Sequence, residues 1–190
     1  MSLFRIAKPG SGEIARFVAS QAPLAFSYEP VGMTRAEDAP AGWTEDTYRT
    51  VLGPGREVFD RAKTLIRSWT MFAMPWIELH APDAPIAVGS TVGILARSAG
   101  LWCMNAARIV YVIDEKDRFG FAYGTLPGHV ESGEELFLVE HTPEDLVAYS
   151  IRALSRPRAP LARIAYPWVR REQRRFGAES LVAMRRAILN

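Results

Sequence analysis

The sequence predicts an α+β fold in which a curved antiparallel β-sheet wraps round one long C-terminal α-helix. Two patterns indicate it: apolar residues alternate at period two between positions 118 and 154, and they recur every three or four residues after position 160. The chain has 190 residues, of which 48% are hydrophobic and 23% charged, so it is long enough to bury a core. We therefore predict a single domain over residues 1–190.

Proline and glycine break the first fifty residues into short pieces. We predict a short helix over Ile14–Ala19 and a strand over Ala25–Val31, where apolar and polar residues alternate. Four apolar residues that follow are suited to pack against the core: Trp43, Tyr48, Val51 and Leu52. We expect residues 1–50 to cover the core as a segment rather than to form a domain of their own.

A shorter amphipathic helix is predicted near residues 55–72. Its apolar stripe consists of residues three or four positions apart: Val58, Ala62, Leu65, Ile66 and Trp69. Arginine and lysine residues lie between them, as on a helix with one buried face.

Three strands are predicted after this helix: Trp76–His80, Ser90–Arg97 and Trp102–Ile113. Simple alternation divides the last of them into two apolar sets, one on each face: Ile109, Tyr111 and Ile113, and Val110 with Val112. Because both faces would be apolar, we expect the sheet to be covered on both sides.

Residues 118–154 are predicted to form a hairpin and a final strand. Phe119, Phe121 and Tyr123 share one face of the first strand, and the stretch TLPGHVESG at residues 125–133 contains the proline and glycines of a long loop. Leu136–Val139 begins the second strand. Leu146–Leu154 is the final strand before the spacing changes.

The C-terminal helix is predicted from a stripe of residues at helical spacing: Leu161, Ile164, Ala165, Trp168, Val169, Gln173, Phe176, Leu181, Met184 and Ile188. Between Arg152 and Asn190 there are ten arginines against two glutamates, a net charge of +8 in a chain whose total is +2. We interpret these arginines as a solvent face that pairs with acidic residues elsewhere. We expect no nucleic-acid partner, because no aromatic or glycine pattern of a nucleic-acid module accompanies them.

The sequence also restricts location and cofactors. Charged residues interrupt the N-terminus, and no apolar run approaches the roughly 20 residues of a membrane span, so we predict a cytoplasmic protein. Cys103 is the single cysteine and cannot form an internal disulfide or a thiolate cluster. His80, His129 and His141 lack the spacing of a zinc motif, so we predict neither a metal nor a cofactor.

Several strings in the chain resemble one protein family. These are SYEPVG, LGPGREVFDRAK, RSW, AYGTLPGHVESGEE and SRP, with the arginine-rich helix behind them. They resemble the family catalogued as Domain of Unknown Function nineteen-ninety, over most of the chain from Phe26 onward. That family in turn resembles the START and polyketide-cyclase (SRPBCC) superfamily, whose helix-grip fold wraps a seven-stranded sheet round a C-terminal helix. The resemblance implies a helix-grip fold with an apolar cavity, and superfamily ligands range from lipids to polyketides.

Aromatic and polar residues on the predicted elements supply the candidate site. The residues expected to bind a ligand are Trp102, Tyr123, Thr125, Tyr149 and Trp168. Candidate acids or bases are His129, Glu134 and Tyr123, with His129 or Glu134 near the mouth of the cavity. Strand alternation sends Glu134 and Glu135 to opposite faces, so at most one of them points at a cavity.

Three functions follow from these observations. The first is the binding of a hydrophobic or amphipathic small molecule between the sheet and the C-terminal helix. The second is an enzyme of the cyclase, hydrolase or isomerase type that uses a hairpin histidine or glutamate as acid or base. The third is a docking module that uses the arginine-rich helix. The sequence contains no catalytic motif, and it leaves open whether the aromatic residues line a cavity or fill a core.

Overall fold

The structure is a computed structural model that describes residues 3–80, 83–157 and 166–190. One antiparallel sheet runs through it, with strands in the spatial order β2-β8-β7-β6-β5-β4-β3, and β1 pairs with β5 beside this path. The strands are β1 (Phe4–Arg5), β2 (Thr44–Pro54), β3 (Ile77–His80), β4 (Thr91–Ser98), β5 (Leu101–Asp114), β6 (Arg118–Thr125), β7 (Glu131–His141) and β8 (Leu146–Pro157).

Three α-helices accompany the sheet in the described part of the chain: α1 (Ser11–Gln21), α2 (Arg56–Arg67) and α3 (Tyr166–Leu189). Short 3₁₀ turns occupy Met33–Arg35 and Thr70–Phe72. The predicted helices at Ile14–Ala19 and near residues 55–72 are therefore confirmed. The stripe predicted for the C-terminal helix began at Leu161, but positions 161–165 lie outside the described residues. None of the described helices is long and apolar enough to cross a membrane.

The long helix α3 lies against the concave side of the sheet, which we call the inner face. Met184 and Ile188 are buried there with residues of β6, β7 and β8, and α2 adds Phe59 and Ile66 to the same core. This arrangement confirms the predicted helix-grip α+β fold. The apolar stripe of α3 forms because residues three and four apart share one side of a helix.

The opposite, outer face of the sheet is covered by the N-terminal part of the chain. Ile14 and Phe17 of α1 pack on Leu95 and Met104 in a separate apolar cluster. Tyr28 and Met33 form another cluster with Leu154. The expectation that both faces of the sheet are covered is therefore confirmed.

Two predictions for the N-terminal region are wrong. Residues 25–31 form no strand; this segment crosses the outer face, and Pro30 supplies no backbone N–H for a ladder. Residues 44–54, predicted only as cover, form strand β2, which pairs antiparallel with β8 from Thr44↔Ser155 to Pro54↔Leu146. Its residues alternate between half-buried and exposed positions over most of its length, as in a strand with one face towards solvent.

The predicted faces of β5 are also wrong at its centre. Ile109 pairs with Tyr123 and Tyr111 pairs with Ala122, so Val110 is an extra residue that forms a β-bulge. Ile109 consequently faces the inner core, whereas Tyr111 faces the outer side. One inserted residue moves each later residue of β5 to the face opposite the one that simple alternation predicts.

The hairpin loop is shorter than predicted. Strand β7 begins at Glu131, so Ser132 and Gly133 belong to the strand and not to the loop. A Cβ at position 133 would overlap the carbonyl oxygen of Leu154 in β8, so only glycine fits at this point of the strand. This earlier start of β7 places Glu131 on the sheet, on the same face as Glu135.

Candidate functional site

A cavity of about 240 Å³ lies between the inner face of the sheet and the first half of α3. Apolar and aromatic side chains form most of its wall, among them Tyr48, Phe72, Trp76, Ile77, Ile94, Trp168, Val169 and Phe176. The polar residues of the wall include Asp46, Asn105, Tyr123, Thr125, His129, Glu131, Glu135, Ser155, Glu172 and Gln173. A concave apolar space with a few polar groups is typical of a small-molecule site.

Tyr123 and Glu135 form a cross-strand pair that faces the cavity. They lie opposite each other on β6 and β7, and the Tyr123 hydroxyl donates a hydrogen bond to Oε2 of Glu135 at 2.6 Å. Phe121 and Phe137 are the next pair along the same face, with ring centroids 5.3 Å apart. The packed rings fix the position of the polar pair because neighbouring cross-strand residues are in contact.

Glu131 contributes a second carboxyl group. Nε2 of Gln173 on α3 donates to Oε1 of Glu131 at 2.5 Å and also contacts Oγ of Ser155 at 3.0 Å. Gly133 lies between the two glutamates on this face and has no side chain to separate them. Glu131 and Glu135 both line the cavity, held by α3 and by β6, and the negative charge of Glu131 adds to the raised pKa of Glu135; we call these two residues the carboxyl pair.

Burial changes the protonation of both carboxyls. Removal from water raises the pKa of Glu135 to about 7, against a smaller opposing effect of its hydrogen bond from Tyr123. Burial likewise raises the pKa of Glu131 to about 7, although Gln173 and Arg170 favour its charged form. The negative charge of Asp46 adds to both increases. Each group can therefore donate or accept a proton near neutral pH.

Aromatic rings form much of the remaining wall. Phe72 packs against Phe176 of α3 with ring centroids 5.2 Å apart, and Trp76 donates its indole N–H to Oε2 of Glu179 at 2.7 Å. The Tyr48 ring covers Gly177, where a Cβ would overlap it. These contacts bring α3 close to β2 and hold the rings round the cavity.

Five of the predicted site residues line this cavity: Tyr123, Thr125, His129, Glu134 and Trp168. Thr125 is engaged by the protein, since its hydroxyl accepts from the Gly133 N–H at 2.9 Å and contacts Oγ of Ser27 at 2.6 Å. His129 accepts at Nδ1 from the Glu131 N–H at 3.1 Å. Trp168 donates to Oε1 of Glu172 at 3.2 Å.

The structure places two other predicted residues away from the cavity, and it turns the carboxylate of Glu134 away from the cavity as well. Trp102 faces the outer side of the sheet, where it packs on the cluster that contains Ile14 and Phe17. Tyr149 is fully buried in the core, and its hydroxyl bonds Oγ of Ser180 at 2.9 Å. Glu134 directs its carboxylate to the outer face, where Tyr28 donates to it at 2.5 Å.

The sequence analysis did not single out the carboxyl pair as such. Counting back by two from Glu135 reaches Gly133 and Glu131, so a strand that begins at residue 131 would have put both glutamates on one face. Gln173 was in the helical stripe, and its polar character there was a second signal. Asp46 could not be recognised because β2 was not predicted.

Two of the described arginines of α3, Arg170 and Arg175, form ion pairs with acidic side chains. Arg170 binds both carboxylate oxygens of Asp46, and Arg175 bonds Oε1 of Glu179 at 2.8 Å. Arg171, Arg174, Arg185 and Arg186 are exposed. Arg170 thus pairs with an acidic residue of another element, as the sequence interpretation expected, whereas the acidic partners of Arg175 lie on α3 itself.

Comparison with solved structures gives similar folds at low sequence identity. The hypothetical protein jhp0584 from Helicobacter pylori aligns with a TM-score of 0.51 and 13% identity, over 78% of this chain and 95% of that one. Human STARD10 aligns with a TM-score of 0.48 and 12% identity, over 96% and 81% of the two chains. At 13% identity, the similarity to the Helicobacter pylori protein shows the fold alone.

Sequence comparison gives closer relatives. A UPF0548 protein of Dictyostelium discoideum is 30% identical, over 98% of this chain and 96% of its own. A UPF0548 protein of Deinococcus radiodurans is 33% identical, over 91% and 92%. The model of the family described as Domain of unknown function (DUF1990) matches residues 27–183. The chain therefore belongs to the DUF1990 family, as the resemblance in its sequence predicted.

Proposed function

We propose that the protein binds a small hydrophobic or amphipathic molecule in the cavity between the inner face of the sheet and α3. The observation that carries this proposal is the combination of apolar walls with a buried carboxyl pair, Glu131 and Glu135, in one cavity. A site of this kind binds an apolar group by excluding water and orients it through a few polar contacts.

The volume of the cavity restricts the size of the ligand. An apolar cavity of about 150 Å³ accommodates benzene. The present cavity of about 240 Å³ is suited to one aromatic ring, or a comparable aliphatic group, with a short substituent. It is too small for the acyl chains of a membrane lipid in this conformation.

Cavity filling tests the proposal with a matched pair of variants. Val169 and Val182 both lie on α3, but Val169 lines the cavity whereas Val182 is 53% exposed. Val169→Phe should reduce the cavity volume, while Val182→Phe adds the same atoms on the solvent side. The wild type and both variants are to be screened by thermal shift against single-ring compounds that carry neutral, acidic or basic substituents.

At least one compound should raise the melting temperature of the wild type and of Val182→Phe through linkage, and should raise that of Val169→Phe less. No shift in the wild type across the panel would contradict the proposal. An equal shift in Val169→Phe would also contradict it, because binding would then lie outside the cavity.

A second candidate function is acid–base catalysis on the bound molecule, of the cyclase, hydrolase or isomerase type. It is favoured by the raised pKa of Glu131 and of Glu135, both about 7, inside a site that holds a small molecule. In this form of the hypothesis Glu135 and Glu131 take the role first considered for Glu134. The Tyr123 hydroxyl and His129 complete the set of polar groups.

Catalysis and simple binding differ in the response to Glu135→Gln. An enzyme would lose turnover of a bound neutral compound in this variant while its affinity for the compound stays within about threefold. Turnover is followed by mass spectrometry of each compound that the thermal screen identifies. Unchanged turnover in Glu135→Gln would exclude this residue as the acid or base.

A further inference from the structure

The charged side chains that line the cavity, among the described residues, are acidic. Among the described residues that line it there is no lysine and no arginine. The acidic side chains that line it and are not directed to the outer face are Asp46, Glu131, Glu135 and Glu172. An anionic ligand would be repelled by such a wall, and a cation would be attracted.

The two central carboxyls receive their hydrogen bonds from neutral groups. Tyr123 donates to one oxygen of Glu135, and Gln173 donates to one oxygen of Glu131. Arg170 is bound to both oxygens of Asp46, and both side chains of that ion pair are largely buried. The charge of Arg170 favours the charged form of Glu131, but burial of the carboxyl outweighs this effect and raises its pKa to about 7.

The aromatic residues of the wall favour the same charge. Tyr48, Phe72, Trp76, Tyr123, Trp168 and Phe176 line the cavity together. The faces of such rings carry negative electrostatic potential and attract organic cations. The guanidinium of Arg175 already lies over the Trp76 ring at 4.3 Å, which illustrates this preference within the same structure.

We propose that the ligand of this cavity is an organic ammonium compound: a positively charged nitrogen attached to an apolar group about the size of one ring. The nitrogen contacts Glu131 and Glu135, and the apolar group packs among the aromatic rings. This inference rests on the proposed function, since it specifies the chemistry of the molecule that the cavity holds. It also explains why a mainly apolar cavity contains two carboxyls whose hydrogen bonds, within the described ranges of the chain, come from Tyr123 and Gln173.

Binding of a cation should be coupled to loss of protons. Among the described residues, the titratable and charged groups round the pair are Asp46 and Tyr48 of β2, Tyr123 of β6, Tyr149 of β8, His129 of the hairpin loop, and Arg170, Glu172 and Arg174 of α3. A bound ammonium group favours the charged form of the glutamates and lowers their pKa. Its affinity should therefore increase as the pH rises from about 6 to about 8, and protons should be released on binding.

Three probes of similar shape separate charge from size: 2-phenylethylammonium, 2-phenylethanol and 3-phenylpropanoate. Their dissociation constants are to be measured by calorimetry with the wild type, Glu131→Gln, Glu135→Gln and the control Glu57→Gln, whose side chain is exposed on α2. We expect the ammonium probe to bind the wild type and the control at least about tenfold more tightly than the alcohol. In the two cavity variants this preference should fall to about threefold or less, with alcohol binding retained.

The outcomes distinguish this inference from the function on which it rests. If the alcohol or the carboxylate binds the wild type as tightly as the ammonium probe, the inference is overturned and cavity binding stands. If none of the three binds, both are overturned. Should a glutamine variant fail to fold, proton release by the wild type decides: about one proton released on ammonium binding near pH 7 supports the inference, and none overturns it.

Discussion

Glu134 and Glu135 are neighbours in the sequence but act on opposite faces of the sheet. Glu134 accepts hydrogen bonds on the outer face from the Tyr28 hydroxyl at 2.5 Å, the Gly32 N–H at 2.7 Å and the Thr34 N–H at 3.0 Å, and the Thr34 hydroxyl also donates to it. Glu135 faces the cavity with Tyr123. The same residue type therefore attaches the N-terminal segment at one position and lines the candidate site at the next.

Glu134→Gln should destabilise the protein by about 2–3 kcal/mol. The amide replaces one acceptor oxygen by a donor, which leaves N–H and hydroxyl donors of the N-terminal segment without a partner. Glu140→Gln is the matched control on the same strand, because Glu140 only pairs with Arg49 and Arg118 near the surface and should cost less than about 1 kcal/mol. Urea unfolding measures both free energies. Equal costs would show that Glu134 does not hold the segment.

Glu135→Gln should stabilise the protein at high pH and not at low pH. The pKa of Glu135 is raised to about 7 in the folded state, so the folded state favours the protonated form. Stability from this group is complete below the unfolded pKa of about 4.5 and is lost as the pH rises through about 7. The neutral amide avoids this loss, which amounts to at most about 3 kcal/mol at pH 8.

Thermal unfolding at about pH 5 and pH 8 tests this sign, with Glu57→Gln as the control. The difference in melting temperature between Glu135→Gln and the wild type should be small at the lower pH and positive at the higher one. A variant that is less stable than the wild type at pH 8 would show that the carboxyl is not destabilised by burial.

Gly177→Ala should destabilise the protein although alanine favours helices. The added Cβ would overlap the Tyr48 ring, so α3 or β2 has to move, at a cost of about 1–3 kcal/mol. Gly12→Ala in α1 is the contrasting substitution, because the new methyl group meets only the end of the Arg16 side chain at 3.7 Å. That change should be neutral or stabilise by up to about 1 kcal/mol. Chemical denaturation compares the two; the same sign at both sites would contradict the close approach of α3 to β2.

Tyr149 and Ser180 should show coupled contributions to stability. Both are fully buried, and their hydroxyls are 2.9 Å apart between β8 and α3. Tyr149→Phe and Ser180→Ala each leave one buried hydroxyl without its partner and should each cost about 1–2 kcal/mol. The double variant should cost less than the two single costs added together. A double-mutant cycle in urea measures this coupling, and strictly additive costs would contradict the hydrogen bond.

The sequence predicted the elements whose spacing is regular. Phe119, Phe121 and Tyr123 share a face as expected, and the predicted strand Leu146–Leu154 lies within β8. The bulge at Val110 could not be predicted, because an inserted residue leaves the apolar composition of β5 unchanged and alters only its pairing. Strand β2 was missed because it contains few apolar residues and follows a region rich in proline and glycine.

Part of the candidate site was predicted, because some of its residues lie on elements with regular spacing. Tyr123, Thr125, His129 and Trp168 reach the cavity because they lie on or beside elements whose faces were predicted correctly. Trp102 faces the outer side of the sheet, and its aromatic character alone did not reveal which side it occupies. Glu131 was considered part of a loop because glycine, serine and proline surround it. Its partner on α3, Gln173, is 42 residues away, and only the folded chain brings the two together.

The order of the strands leaves the sheet open at β2 and β3. Strand β3 has only four residues, while β2 carries the charged residues Glu45, Asp46 and Arg49, an irregularity between Val51 and Gly53, and a proline at its end. Short length, charge, bulges and proline all discourage a free strand from pairing with another molecule and initiating aggregation. The protein can therefore keep an unclosed sheet, with space for a cavity beneath it, without recruiting a strand from a neighbouring molecule.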